Sequence, residues 1–226
     1  RKRGRDLPRD AREYESSDNT LLASSLERNL GSLKGIFKDS SDIVFREFSI
    51  GPNARKVALL FIDGLVNQMQ INESIVKPLM LWSRMHSEEN AHDLNDMDDI
   101  LSGTLAASDV KKVDKLKGVI EGALGGDAVL IVDGFAQAVL ISVKGWEKRA
   151  VSEPDNESVV RGPREGFTEN LRTNTALIRR KIKSASLRME TLQLGERTQT
   201  NVCIAYVEGL ANPDLIEELR NRLKTI

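Results

Sequence analysis

His86 and His92, the two histidines of the chain, stand in the acidic stretch "HSEENAHDLNDMDD" beside Asp93, Asp96 and Asp98, and imidazole with carboxylate is metal-binding chemistry. The spacing is neither that of an EF-hand loop nor of two histidines on one helical face, so a solvated acidic segment is the expected state and no metal is assigned. Cys203 is the one cysteine, set in the apolar run "VCIAYV". It excludes an intrachain disulfide and reads as a buried structural thiol in a reducing, intracellular setting. Nucleophile elbows, Walker loops and dinucleotide fingerprints are missing; "EGALGGD" has glycines without the following Lys-Ser/Thr and reads as a helix end. No catalytic residue and no cofactor is therefore assigned, and the expectation is a protein that is not an enzyme.

The remaining chemistry lies in "SVVRGPREGFTENLRTNTALIRRKIK", residues 158–183. Arginine outnumbers lysine there, and the planar guanidinium suits two-pronged pairing with carboxylates across an interface. The apolar stripe Phe167, Leu171, Ile178, Ile182 is expected on one face of a helix over 164–183, with Arg172, Arg179 and Lys183 on another and Arg161 and Arg164 ahead of it. Arg179, Arg180, Lys181 and Lys183 suit the helix C-terminus, where the dipole favours cations. The arginine face either pairs with protein or is solvated, and spacing alone leaves both open.

The elements that must position these residues are duplicated. "VALLFIDGLVN" (57–67) and "VCIAYVEGLAN" (202–212) share an apolar run, an acid (Asp63 or Glu208), Gly-Leu and Asn at an offset of 202 − 57 = 145. The stripe Leu22, Leu26, Asn29, Leu33, Phe37 matches Phe167, Leu171, Asn174, Ile178, Ile182 at the same offset. "IVFREFSIG" matches "LRMETLQLG" with a slip to 187 − 43 = 144. Each half reads helix, strand, strand, helix. Asn29 and Asn174 fall on the apolar stripes, and a buried amide must find partners or cost ~1–3 kcal/mol, so each is expected to bind a turn of its own half. Asp63 and Glu208 are expected to steady the turn before Gly-Leu.

Ser17, Asp18 and Asn19 are candidate caps for the first helix, and Gly162-Pro163 with Glu165 for its repeat. Pro78 is expected to kink the helix after the first strand pair. A further helix is expected through "DVKKVDKLKGVIEGALGG", capped by Ser108, followed by a hairpin turning at Asp133-Gly134. The resulting expectation is an α/β (α+β) fold of two small lobes, each one helix-strand-strand-helix repeat. The hairpin is placed in the second lobe, making a roughly four-stranded mixed sheet flanked by helices. The divisions are a flexible basic tail at 1–17, an N-terminal lobe at 18–108 with its linker, and a C-terminal lobe at 109–226. The acidic 87–99 segment is poor in core-forming side chains, so the lobes are expected to move relative to one another.

Composition is that of an ordinary globular protein, with 40% hydrophobic residues and a formal net charge of -1, which gives no pull toward nucleic acid or anionic lipid. "VALLFI" and "AVLIV" fall far short of the ~20 apolar residues that span a bilayer, so no crossing is expected. The start lacks a methionine and the end stops after a helical pattern, as in an excised domain.

"EPDNESVVRGPREGFTENLRTNTALIRRKIK" followed by "LRMETLQLGERTQTNVCIAYVEGLAN", with "DAVLIVDGFAQAVLISVKGWEKRAV" and "SIVKPLM", resembles the spore germination protein family that supplies the A subunits of GerA-type nutrient receptors in endospore-forming bacteria. The resemblance implies a soluble N-terminal domain of an inner-membrane subunit, facing the spore core. Membrane contact would then come only through a C-terminal region that this sequence lacks. It implies B and C subunits, and other A subunits, as partners, with no nucleic acid. It also implies work by assembly and by relay of nutrient sensing to ion release. Arg161, Gly162, Pro163, Arg164, Glu165, Phe167, Glu169, Asn170, Arg172 and Asn174 would be its structural or interface positions. The rival expectation is a two-lobed module that closes on a small-molecule germinant, as solute-binding proteins do.

Overall fold

The computed structural model describes residues 19–51, 53–85, 97–98, 101, 109–145 and 166–225. The first half begins with α1 (Leu26–Ile36), β1 (Ile43–Ile50) and β2 (Arg55–Ile62). Next come α2 (Gln68–Ile71), a π turn (Asn72–Val76) and α3 (Lys77–Met85), then β3 (Val110–Val113), α4 (Leu116–Leu124), β4 (Ala128–Val132) and β5 (Ala138–Ile141). The second half is α5 (Leu171–Lys181), β6 (Leu187–Leu194), β7 (Thr200–Val207) and α6 (Pro213–Lys224).

The two halves repeat down to hydrogen bonds. Ile43 pairs with Ile62 and Leu187 with Val207, the same register after offsets of 144 and 145. Ser25 caps α1 by accepting the Arg28 N–H, and Asn170 caps α5 by accepting the Thr173 N–H. Gly64 and Gly209 leave the second strands at φ 87° and 82°, a left-handed exit closed to side chains without strain. Asn67 and Asn212 then cap the next helices.

Asn29 Oδ1 accepts the Ala23 N–H at 2.9 Å while its Nδ2 donates to Ala23 C=O at 2.7 Å. Asn174 does the same to Thr168, 145 residues on, at 2.7 Å for both bonds. Each amide thus clamps the chain just before its helix, which is why the caps are Ser25 and Asn170 and not the upstream residues expected from sequence. Replacing Asn29 by Ala orphans a backbone donor and acceptor, and should lower the melting temperature by roughly 2–12 °C. Asn174→Ala should cost less because its site is only half-buried. Thermal melts by circular dichroism check both; equal losses would mean burial does not set the cost.

The hairpin is not in the second lobe. β4 pairs antiparallel with β2, and the sheet order is β1-β2-β4-β5-β3, all within the first half. The reason is visible in β2, whose last six residues are all buried: a continuously apolar strand needs a neighbour on each edge and cover on both faces. The second sheet is β6-β7 alone. Val110–Val113, expected in a helix, is instead the edge strand β3 against β5, and the helix starts at Leu116.

Ala58, Leu60, Ile62, Val129 and Ile131 face α1 and α4, whereas Val57, Leu59, Phe61, Leu130 and Val132 face Ile71, Ile75 and Leu79. Burying each large side chain contributes about 1.5–3 kcal/mol, so this three-layer half holds most of the apolar stabilisation. The π turn precedes Pro78, whose missing N–H and ring widen the helix; Lys77 N–H donates to Asn72 C=O, five residues back.

Candidate functional site

Two arginines are the largest fully buried side chains, both in the second half. Arg179, on the last turn of α5, is 0% exposed. Its Nε and Nη2 each donate to an Asp42 carboxylate oxygen at 2.9 Å, and its Nη1 donates to Ser184 C=O at 3.2 Å and Leu187 C=O at 3.1 Å. Asp42 belongs to the turn before β1, so this two-pronged pair ties the halves together. Arg188, on β6, donates from Nε to Glu208 at 2.8 Å and from Nη1 to Ile36 C=O at 2.8 Å, capping the end of α1 from the other half. Around them Ser41 N–H donates to Met189 C=O at 2.8 Å, the Ser41 hydroxyl meets Thr191 Oγ1 at 2.7 Å, and Ser40 runs as a short parallel neighbour of β6.

The joint is fully satisfied, which is what lets two guanidinium groups stay out of water: every donor named finds a carboxylate or carbonyl. Small residues let the backbones close up beside it. A Cβ on Gly64 would lie 2.9 Å from the Ala176 Cβ of α5, and Ala176 and Ala185 join the core under α1 and β2.

The residues expected at the interface divide accordingly. Arg172 pairs with Asp63 across the halves at 2.8 Å, both partly exposed. Glu208 holds Arg188 and lies 3.6 Å from Lys38, and Asp63 also accepts from Gln68 Nε2 at 2.8 Å, so these acids reach side chains and not merely their own turn. Asn170 and Asn174 are the cap and clamp, and Glu169 is exposed. Phe167, expected on the helix's core stripe, lies ahead of α5 and is 71% exposed, and Ile182 is also exposed, with no counterpart of α4 over them among the described residues. Arg161, Gly162, Pro163, Arg164 and Glu165 lie outside the described residues, as do His86 and His92. Cys203, expected to be buried, is half-buried; desolvation and the Asp42 charge push its thiol up from the ordinary value.

Sequence reading missed Asp42 and Arg188. The signal for Arg188 was a charge at a repeat position held by Val44 in the first half (188 − 144 = 44). Further along the same face of β6-β7, Glu190 accepts from the Tyr206 hydroxyl and from Arg220, which holds its carboxyl below the usual range. Phe61 and Ile75 occupy the positions of Tyr206 and Arg220 in the first half.

Among the described residues no cluster of three His, Cys, Asp or Glu could hold a metal ion, and no helix is long and apolar enough to cross a membrane. An open cleft of about 500 Å³ lies within the first half, at the start of α1 between Ser25, Arg55, Lys56 and Asp133. Asp133 Oδ1 already accepts the Leu26 N–H there at 2.9 Å.

Known proteins are similar to this chain in sequence and in fold. The chain is 34% identical over 215 residues to uncharacterized membrane protein YfkQ and 32% identical over 215 residues to spore germination protein KA, both of Bacillus subtilis (strain 168). Each match covers 95% of this chain, which spans about two fifths of those relatives, 40% and 38% of their length. The crystal structure of the N-terminal domain of the A subunit of the Bacillus megaterium spore germinant receptor GerK3 superposes with a TM-score of 0.68 at 30% identity, covering 92% of this chain and 74% of that one. The Bacillus/Clostridium GerA spore germination protein model matches residues 31–226, and the chain belongs to that family.

Proposed function

We propose that this chain is a non-catalytic domain of a germinant receptor A subunit, facing the spore core at the inner membrane, and that it works by assembly with B and C subunits and by relay of nutrient sensing to ion release. The observation that carries this reading is the joint between the halves, a buried, two-pronged Arg179–Asp42 pair. Packed ionic joints have discrete arrangements and not a continuum, so a small displacement of one half becomes a switch of the other. The halves are the moving parts, and the GerK3 likeness supplies the receptor context.

The test is made in spores carrying the full-length subunit. Asp42→Asn keeps the shape of the side chain and removes its charge, so the joint is weakened without a cavity. The expected result is lost or slowed germination. Normal levels of the A and B subunits would assign the defect to relay, and lowered levels to assembly. Crosslinks from this domain to the B and C subunits should be found in the wild type. Normal germination with normal subunit levels would overturn the reading. Saturable heat on titrating the domain with amino acids or sugars would favour the germinant-binding module instead.

A further inference from the structure

The helix that follows each strand pair is docked by different chemistry in the two halves. In the first, Ile71, Ile75, Val76 and Leu79 pack under the sheet, and none is more than 9% exposed. At an offset of 145 (216 − 71), α6 carries Ile216, Arg220, Asn221 and Lys224, of which only Ile216 is buried. The strand changes with the helix, Phe61 giving way to Tyr206. In the first half a polar contact between strand and helix, Arg46 to Asn72 at 3.1 Å, is exposed and lies beside the apolar packing. In the second half a polar cluster takes the place of that packing.

Arg220 donates from Nε to Glu190 Oε2 at 2.8 Å, and from Nη2 to Glu190 Oε1 and, at 3.2 Å, to the Tyr206 hydroxyl oxygen. The Tyr206 hydroxyl donates to Glu190; burial, and then the carboxylate beside it, push its pKa up, so it keeps its proton. Glu190 on β6 thus accepts from β7 and α6 at once. Exposure separates this cluster from the joint between the halves. Arg179 and Asp42 are 0% and 9% exposed, so parting them strands a charge away from water. Arg220 and Glu190 are 28% and 15% exposed, so both can be rehydrated when they part. A helix with one buried side chain belongs to the low-stability end of local opening.

We infer that α6 is a releasable strap: the Tyr206–Glu190–Arg220 cluster is its latch, and α6 leaves the β6-β7 sheet as a unit while the joint between the halves stays closed. The latch and the joint are neighbours, for Arg188 stands opposite Tyr206 in the strand register and caps α1 through Ile36 C=O. The strap rests on the relay reading only for what its release signals, and it adds α6 to the moving parts of that reading.

Native-state hydrogen exchange of the 226-residue chain reads the latch. Amides 217–221, in the middle of α6 and away from its ends, should open more readily than those of β6 and β7. Arg220→Gln and Glu190→Gln should each speed their exchange about tenfold and leave β6, β7 and the Arg179 Nε–H unchanged. Raising salt to about 1 M, where the screening length falls to ~3 Å, should speed these amides in the wild type and not in Arg220→Gln. Three results would overturn the inference: wild-type α6 exchanging at the rate of β6 and β7, variants and salt that leave α6 unchanged, or equal acceleration of β6 and β7. The Asp42→Asn spores test the relay separately. An α6 that opens as expected, with normal germination in those spores, leaves the latch standing and removes the relay. An α6 that never opens alone removes the latch and leaves the relay untouched.

Discussion

Asp42→Ala should lower the melting temperature by roughly 6–20 °C, because removing one partner of a buried pair costs ~3–5 kcal/mol and a chain of this size loses about 2–4 °C per kcal/mol. Arg179 would keep its bonds to Ser184 and Leu187 but lose both bonds to carboxylate, leaving a cation with no counter-charge at a site closed to water. Arg172→Ala is the control. Its pair with Asp63 spans the same two halves at a similar distance, yet both side chains are solvated, and exposed pairs contribute ~0–1 kcal/mol. Burial and not pairing is therefore what separates the two variants. The double variant Asp42→Leu/Arg179→Met sharpens the test, since apolar replacement of both partners is often neutral or better. It should melt well above Asp42→Ala and close to the wild type. If it melts as low as the single variant, the loss reflects the turn before β1 and not an orphaned charge.

The architecture was legible wherever two distant segments could be compared. One offset linked helix to helix and strand exit to strand exit, and the slip of a single residue between β1 and β6 survives in the observed register. Periodicity located the helices' apolar faces but not their starts, because an Asn six residues beyond the clamped backbone holds the chain extended until Ser25 and Asn170 can cap. The hairpin was recognised and put in the wrong sheet: local pattern says that two strands pair, whereas the partner of their outer edge depends on which other strand is buried on both sides. The partners across the joint were hardest. The arginine face holding Arg179 was expected to pair with protein or to be solvated, and nothing local to residues 171–181 shows that Asp42, 137 positions earlier, is the carboxylate under it.

Gly64→Ala should be the most damaging single methyl in the joint. The residue sits at φ 87°, where a side chain costs about 1–2 kcal/mol, and its Cβ would meet the Ala176 Cβ at 2.9 Å and the Arg172 carbonyl at 3.4 Å. The obstacle is backbone and a Cβ, neither of which can swing away, so α5 must lift off the first half, adding ~1–3 kcal/mol of overpacking. Together these predict a fall of roughly 4–20 °C. Gly51→Ala separates the two contributions, for Gly51 has φ 72° but no atom nearer than 3.9 Å, and strain alone should cost it roughly 2–8 °C. The excess in Gly64→Ala belongs to the contact between the halves. Arg179 follows Ala176 by three residues on the same face of α5, so lifting that helix also draws the guanidinium from Asp42. The Arg179 Nε–H, followed by NMR, should therefore lose its exchange protection in Gly64→Ala and keep it in Gly51→Ala. Equal melting of the two variants, with Arg179 protected in both, would mean that the close approach of α5 to the strand exit does not hold the halves in register.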